Sequence, residues 1–133
     1  MNSPCYCTLL RKATRRLGAA YDEALAPFGI NIAQFSLLRM IRRSGPISLT
    51  ELGKIAELDR STIGRNVRVI ERMGLVATRR GDDDQREAVV TLTPHGTQVY
   101  EEATPPWEAC QRAIESRLGR TRIDALHDIG SAI

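Results

Sequence analysis

The sequence predicts a mainly α-helical domain with one small β-hairpin, an α+β fold. Over most of its 133 residues, apolar side chains recur at helical spacing. Capping residues and Gly or Pro breakers divide these stretches into six helices. Alternating, strand-like segments occur together in one place, on either side of the acidic run 82–84. This length corresponds to one domain.

The first two helices are delimited by clear local signals. A helix is predicted near residues 5–26, because Pro27 follows its last apolar position. Asn31 then resembles an N-cap, and Gln34 stands three residues later as its reciprocal capping-box partner. The second helix is predicted to end at the Ser-Gly-Pro run 44–46.

The third and fourth helices are short and adjacent. Ser48 and Glu51 have the spacing of a capping box at the start of the third helix. Asp59 resembles the N-cap of a fourth helix that runs to about Met73. The tight turn near 57–60 indicates a helix-turn-helix. A generic helical hairpin remains the alternative for this pair alone.

A β-hairpin directly after the fourth helix favours the helix-turn-helix. Residues 75–81 are predicted to be extended, residues 82–84 to turn, and residues 88–92 to return as a second strand. A hairpin in this position is a wing. Ile47 is a candidate for a further, very short strand. The sequence thus predicts a winged helix-turn-helix.

The fifth helix contains an unusual feature. It is predicted to begin after the capping residue Thr93 and to meet Pro105 and Pro106 in its interior, where proline removes hydrogen bonds and clashes with the preceding turn. We expect either a kink there or a restart with Thr104 as the cap. A last helix is predicted at about 121–130.

Basic residues are concentrated between positions 60 and 86, although the formal net charge is only +3. On the fourth helix, Ile63, Val67 and Ile70 fall on one side and are expected to pack inward. Arg can bind guanine and Asn adenine through paired hydrogen bonds in the major groove. The candidate DNA-binding residues of this helix are Arg60, Ser61, Thr62, Arg65, Asn66 and Arg68. Those of the wing are Arg79, Arg80, Asp84 and Arg86. A solvated basic face is the alternative.

Two motifs resemble a known family. Asp-Gln-Arg at 84–86, followed by Leu-Thr-Pro-His-Gly at 92–96, is similar to the D-x-R…L-T-x-x-G wing signature of MarR regulators. The stretches 61–65 and 70–76 resemble that family's recognition helix and its exit into the wing. The helix order agrees over nearly the whole chain.

The resemblance implies a homodimer and a double-stranded DNA partner. It implies a DNA-binding module at 31–93 and dimerisation through the terminal helices, 1–30 and 94–133. It also implies recognition helices in successive major grooves of a near-palindromic site. Arg65 matches the frequent recognition-helix arginine, Arg86 the arginine that enters the minor groove, and Asp84 a carboxylate that orients an arginine. Such proteins usually repress transcription.

The proline pair and the chain's end at Ile133, soon after the last helix starts, depart from the family's fuller pattern. Because the chain ends soon after the last helix starts, we expect its dimerisation arm to be short. Both features concern the dimer geometry and leave the predicted fold unchanged.

Many members of the family release DNA when a small phenolic or lipophilic molecule binds, and Phe35 and Trp107 are the candidate pocket residues here. Each is an ordinary core residue in the alternative interpretation. Cys5 and Cys7, with Cys110, suggest an oxidant or metal sensor, whereas small residues at a dimer interface are the simpler explanation. Metal binding is the least favoured of these.

No catalytic set, metal-ligand set or cofactor motif is found, so the sequence predicts no enzyme and no cofactor. There is no apolar run long enough for a membrane span, and the N-terminal segment does not resemble a signal peptide. The expected location is the cytoplasm.

Overall fold

The computed structural model describes residues 2–80 and 87–133. Within these ranges it contains six α-helices and a small antiparallel sheet, which confirms the predicted fold class. The elements, in chain order, are α1 (Tyr6–Leu25), a short 3-10 helix (Ala26–Phe28), α2 (Ile32–Ser44), β1 (Ile47–Ser48), α3 (Leu49–Ala56), α4 (Arg60–Arg72), β2 (Val76–Arg80), β3 (Ala88–Leu92), α5 (Pro94–Leu118) and α6 (Arg120–Ala132).

Local signals set the helix starts. Asn31 and Gln34 form the predicted reciprocal capping box of α2. Ser48 caps α3 by accepting from the Glu51 amide at 3.1 Å. The predicted reciprocal bond, from the Ser48 amide to the Glu51 side chain, is wrong. The Glu51 carboxylate accepts instead from Lys54 Nζ at 3.3 Å.

The sheet has the strand order β1-β3-β2. The predicted strand at Ile47 is confirmed, and Ile47 lies opposite Val90. Strand β2 pairs with β3 from Val76↔Leu92 to Arg80↔Ala88. The two longer strands are therefore the base of the predicted wing, and β1 joins that base to α3.

Helix α5 runs through its proline pair, so the expected restart at Thr104 is wrong. Thr104 does not cap a new helix, since its Oγ1 donates to the Tyr100 carbonyl one turn earlier at 2.6 Å. Pro105 and Pro106 cannot donate to the carbonyls of residues 101 and 102, but those two residues are exposed, and water can bond them there. Packing of Ala103 in the core helps to hold the helix together.

The hydrophobic core lies between α2, α4, the sheet and the first half of α5. Its largest fully buried side chains include Phe35, Leu38, Ile41 and Ile63. In contrast, α6 has no buried residue. No single helix in the described ranges is long and apolar enough to cross a membrane. One pair of segments, Tyr6–Phe28 with Ile32–Ser44, is long and apolar enough only when the two are taken together, and it is bent by 73°.

Candidate nucleic-acid interface

Helix α4 separates an apolar face from a basic face, as predicted. Ile63 and Ile70 are fully buried and Val67 is 2% exposed, so one face is part of the core. The side chains of Arg60, Arg65 and Arg68 are exposed. The basic face is therefore held rigidly by the packing of the opposite side of the same helix.

The N-terminus of α4 is capped by Asp59, as predicted. Asp59 Oδ1 accepts from the Thr62 amide and from Ser61 Oγ, both at 2.8 Å. The Thr62 amide bond, followed by the hydroxyl bonds, lowers the pKa of the exposed Asp59 carboxyl. The Ser61 hydroxyl, which the sequence suggested for DNA contact, is thus engaged in the cap of its own helix.

The remaining candidates on α4 are not equally accessible. Thr62 and Asn66 are half-buried, whereas Ser61 and Arg65 are exposed. The Thr62 hydroxyl accepts from an Arg65 guanidinium nitrogen at 3.3 Å. Asn66 lines a narrow cavity of about 120 Å³ beside the start of α2. Of Arg65 and Asn66, the two candidates for paired bonds to a base, only Arg65 is exposed, and Asn66 lies deeper than the helical wheel suggested.

The turn between α3 and α4 is set by a residue with left-handed backbone geometry. Glu57 has φ 54°, the one positive φ of a non-glycine residue in the described ranges. Its amide bonds back to the Gly53 and Lys54 carbonyls, which ends α3. The Leu58 amide donates to the same Gly53 carbonyl at 3.0 Å. This turn fixes the entry of α4 relative to α3.

The wing base is attached directly to α4. The Leu75 amide donates to the Ile70 carbonyl at 3.0 Å, so the chain turns into β2 immediately after the helix. Thr78 Oγ1 donates to Glu71 Oε2 at 2.7 Å, which ties β2 to the last turn of α4. Arg79 and Arg80 are exposed at the far end of β2. The remaining wing candidates, Asp84 and Arg86, lie outside the described residues.

Thr93 caps α5, as predicted, and the Thr-x-x-Gly part of the wing signature also has a role that the sequence analysis did not identify. Thr93 Oγ1 donates to the Gly74 carbonyl at 2.6 Å and accepts from the Gly96 amide at 2.9 Å. A Cβ at position 96 would lie 1.8 Å from the Leu75 carbonyl oxygen. Only glycine allows this close approach. The Thr-x-x-Gly spacing was therefore the sequence signal that could have indicated the contact. These contacts fix α5 against the junction of α4 and β2.

The two candidate pocket residues are in contact. The Phe35 ring, 1% exposed, lies 5.3 Å from the Trp107 ring and 5.4 Å from the Tyr100 ring. The Arg39 guanidinium lies 4.7 Å from the centre of the Trp107 ring. A cavity of about 250 Å³ is lined by Phe35, Arg39 and Trp107. Its other lining residues are Ser36, Met40, Arg43 and Ile55. Arg39 was missed because a single arginine on an amphipathic helix carries no distinctive pattern.

The cysteines lie away from the helix-turn-helix: Cys5 at the N-cap of α1, Cys7 in α1 and Cys110 in α5. Cys5 and Cys7 are exposed and Cys110 is half-buried. Hydrogen bonds from the Thr8 side chain and amide lower the pKa of Cys5, whereas burial raises the pKa of Cys110. Within the described part of the chain, no three His, Cys, Asp or Glu side chains form a metal-binding group.

Comparison with known proteins agrees with this geometry. The MarR family model matches residues 30–88. The HTH-type transcriptional repressor Rv2887 of Mycobacterium tuberculosis is 30% identical over 110 residues, which are 83% of this chain and 76% of that protein. The DNA complex of the M. tuberculosis transcriptional regulator MOSR is 34% identical with a TM-score of 0.86, and the match covers 97% of this chain and 96% of that one. The chain belongs to the MarR family.

The chain is thus a MarR-family transcriptional regulator, and the two relatives named above are a repressor and a regulator of transcription. The structure of Bordetella bronchiseptica BpsR, whose DNA binding is regulated by 6-hydroxynicotinic acid, is a further match. It is 26% identical with a TM-score of 0.85, over 99% of this chain and 95% of that one. Membership in this family favours DNA binding over the alternative in which Cys5 and Cys7 carry the primary chemistry.

Proposed function

We propose that this MarR-family regulator is a homodimeric repressor that binds a near-palindromic site in double-stranded DNA through α4 and the wing. The observation that carries the proposal is the exposed guanidinium face of α4, set on a helix whose opposite face is fully buried. In this proposal residues 31–93 bind DNA, whereas residues 1–30 and 94–133 form the dimer.

Each candidate residue has a role in this proposal. Arg65 recognises a guanine edge in the major groove, since Arg can bond guanine O6 and N7 together. Asn66 recognises an adjacent adenine from its half-buried position. Arg60 and Arg68 bind phosphates on either side, because they are exposed cations at the edges of the same face. Ser61 and Thr62 contribute by fixing the N-terminus of α4 through their bonds to Asp59.

The wing is proposed to bind the flanking minor groove. The exposed Arg79 and Arg80 supply cationic charge at the end of β2, and Arg86 enters the groove where it is narrow. Asp84 orients one arginine of the module. The assignments of Asp84 and Arg86 depend on the sequence signature alone.

Dimerisation is supported by apolar side chains that the chain leaves uncovered. Tyr6, Leu9 and Leu10 of α1 and Leu126 and Ile129 of α6 are between 41% and 73% exposed. A second copy that covers them would place two recognition helices on one duplex. Two modules about 34 Å apart also bury the area that tight, specific binding requires. Repression is supported by the name of the relative Rv2887.

The experiment that tests DNA recognition compares two duplexes, one from upstream of the protein's own gene and one with its sequence scrambled. We expect Arg65→Ala to weaken binding to the first by about 1–3 kcal/mol and to affect the second much less. Arg117→Ala, which removes an exposed arginine from α5, is the matched control for charge. A wild-type protein that binds both duplexes equally at every salt concentration would contradict the proposal.

We further propose that a small aromatic molecule in the cavity beside Trp107 lowers DNA affinity. The stacked Phe35 and Trp107 rings provide an apolar wall, and Arg39 and Arg43 provide positive charge for an acidic group. Regulation of BpsR by 6-hydroxynicotinic acid supports this class of ligand. Such a ligand would favour a dimer whose recognition helices are misplaced for DNA.

The cavity contains the single tryptophan of the sequence, which provides a direct readout. We expect 6-hydroxynicotinic acid or a hydroxybenzoate to quench Trp107 fluorescence and to release the upstream duplex over the same concentration range. Acetate serves as the control for an acid without a ring. Quenching without release would remove the regulatory part of the proposal.

A further inference from the structure

A side chain of α1 caps the start of α2. Asp22 Oδ1 accepts from the Ile32 backbone amide at 2.8 Å. Ile32 is the first residue of α2, so its amide has no acceptor within its own helix. A carboxylate is a favourable acceptor there, because the amides at a helix start carry partial positive charge. Asp22 therefore caps a helix that begins ten residues later in the chain.

The chain changes direction between these two residues. Gly29, with φ 72°, ends the short 3-10 helix Ala26–Phe28. Leu25 and Ile30, which stand before and after this turn, are 0% and 5% exposed and anchor it in the core. The start of α2 is thus returned to the side of α1, and the Asp22 bond closes the turn.

The preceding residue attaches the same turn of α1 to another helix. The Tyr21 hydroxyl donates to Gln111 Oε1 of α5. Residues 21 and 22 therefore connect α1 both to α5 and to the start of α2. In the function proposed above, α1 and α5 belong to the dimer, whereas α2 begins the DNA-binding module. The Asp22 bond consequently crosses the boundary between the two.

The start of α2 also lies beside the recognition helix. Asn31 and Gln34, the capping box of α2, line the cavity of about 120 Å³ that Asn66 and Val69 of α4 also line. Packed elements transmit small shifts, because protein interiors contain little free space. A displaced α2 start would therefore change the surroundings of Asn66, a candidate for base recognition.

We propose that Asp22 is a positioning residue that holds the start of α2, and through it the recognition helix, in the orientation that the dimer needs for its DNA site. The proposal rests on the DNA-binding function proposed above. Both copies of α4 must fit one duplex at a fixed separation, so a change at each joint misplaces two helices. Non-specific binding depends on phosphate charge and tolerates such a change.

The sign of the effect separates positioning from simple charge. Asp22 is exposed, so removal of its negative charge should strengthen binding to every duplex if charge alone mattered. Positioning predicts weaker binding to the specific site. Glu23→Ala removes the adjacent exposed carboxylate and is the matched control for charge. Asp22→Asn keeps an oxygen that can accept from the Ile32 amide.

The experiment measures affinity for the upstream and scrambled duplexes, at concentrations where sedimentation velocity shows each variant to be dimeric. We expect Asp22→Ala to weaken binding to the upstream duplex by roughly threefold to tenfold, the range of one hydrogen bond. Binding to the scrambled duplex should change little. Asp22→Asn should retain most of the wild-type affinity, and Glu23→Ala should not weaken binding.

Unchanged or tighter binding of Asp22→Ala to the upstream duplex would overturn the proposal and leave the DNA-binding function intact. Equal weakening by Glu23→Ala would also overturn it. A wild-type protein without preference for its own upstream duplex would instead contradict that function, and the positioning role with it.

The hydrogen bond itself is judged without DNA, by double-mutant cycles on unfolding. Ile32→Pro removes the amide donor at the first helical position, where proline is favoured, and the extended backbone of Asn31 suits a residue before proline. Ile32→Ala changes the side chain and keeps the amide. Asp22→Ala should destabilise the Ile32→Ala protein but have little further effect on the Ile32→Pro protein. Equal effects in the two backgrounds would overturn the bond.

Discussion

Helices α4 and α6 have the same length, 13 residues, and differ in whether the rest of the chain buries their apolar side chains. Ile63, Val67 and Ile70 of α4 are at most 2% exposed. Leu126 and Ile129 of α6 are 50% and 41% exposed. Apolar positions at helical spacing therefore do not imply burial within one chain. The apolar face of α4 is covered by the core of the same chain, and we have proposed that a second copy covers the apolar face of α6.

The two helices also begin differently. Asp59 caps α4 through its side chain, whereas α6 begins after Gly119, which supplies no side-chain cap. Helix α4 is thus fixed at its start and along one face. A helix that contacts bases precisely needs such support. Helix α6 depends more on whatever covers it.

The largest expected effect is on the buried face of α4. Ile63→Ala should lower the free energy of unfolding by about 2–5 kcal/mol, because it leaves a cavity beneath the recognition helix. Val69→Ala, an exposed apolar position on the same helix, should change it by less than about 0.5 kcal/mol. Urea denaturation measures both. Equal effects at the two positions would mean that the opposite faces of α4 do not differ in burial.

The second prediction concerns the contact that connects the α4–β2 junction to α5. Gly96→Ala should destabilise by about 1–3 kcal/mol, because the new Cβ would overlap the Leu75 carbonyl oxygen. In α6 the same change at Gly130 meets no atom within 4 Å. Gly130→Ala should therefore stabilise by about 0.5–1 kcal/mol through its lower chain entropy. A tolerated Gly96→Ala in thermal unfolding would contradict the close approach.

These contrasts show what local sequence can predict. The helix starts at Asn31 and Asp59 followed from signals within three residues, and the structure confirms them. The inward face of α4 followed from helical spacing. Each of these features depends on residues that are neighbours in the sequence, so the sequence alone was sufficient to predict them.

Features that depend on distant residues were missed or wrong. The contact of Gly96 with Leu75 and that of Thr93 with Gly74 join positions that are separated by 21 and 19 residues. Asn66 is half-buried because the start of α2 lies beside it. The restart expected at Thr104 failed because local proline preference was given more weight than the packing of α5 against the core.

The third prediction tests the uncovered face of α6. Leu126→Glu should raise the dimer dissociation constant by at least roughly tenfold, since it places an unpaired charge in the proposed interface. Val69→Glu, the same kind of change on α4, should leave the dimer intact. Sedimentation velocity over a range of concentrations separates the two. Wild-type sedimentation of Leu126→Glu would remove α6 from the interface.

The smallest expected effect concerns the cap that α4 has and α6 lacks. Its hydrogen bonds hold the pKa of Asp59 below the ordinary value of 3.8 in the folded chain. The unfolded chain therefore binds this proton at higher pH than the folded chain does. The charge-dependent part of the cap is fully present above pH 3.8 and is lost as the pH falls through the lowered pKa.

Asp59→Asn keeps an amide oxygen for the cap and removes the charge. The stability of wild type should consequently exceed that of the variant near neutral pH, and the difference should shrink as the pH falls below about 3.8, the ordinary pKa of the carboxyl. Hydrogen exchange of the Thr62 amide should follow the same trend, because that amide donates to Asp59. Amides at the start of α6 provide the internal control, since no side-chain cap is protonated there. A difference between wild type and variant that does not change with pH would show that shape, and not charge, makes Asp59 a good cap.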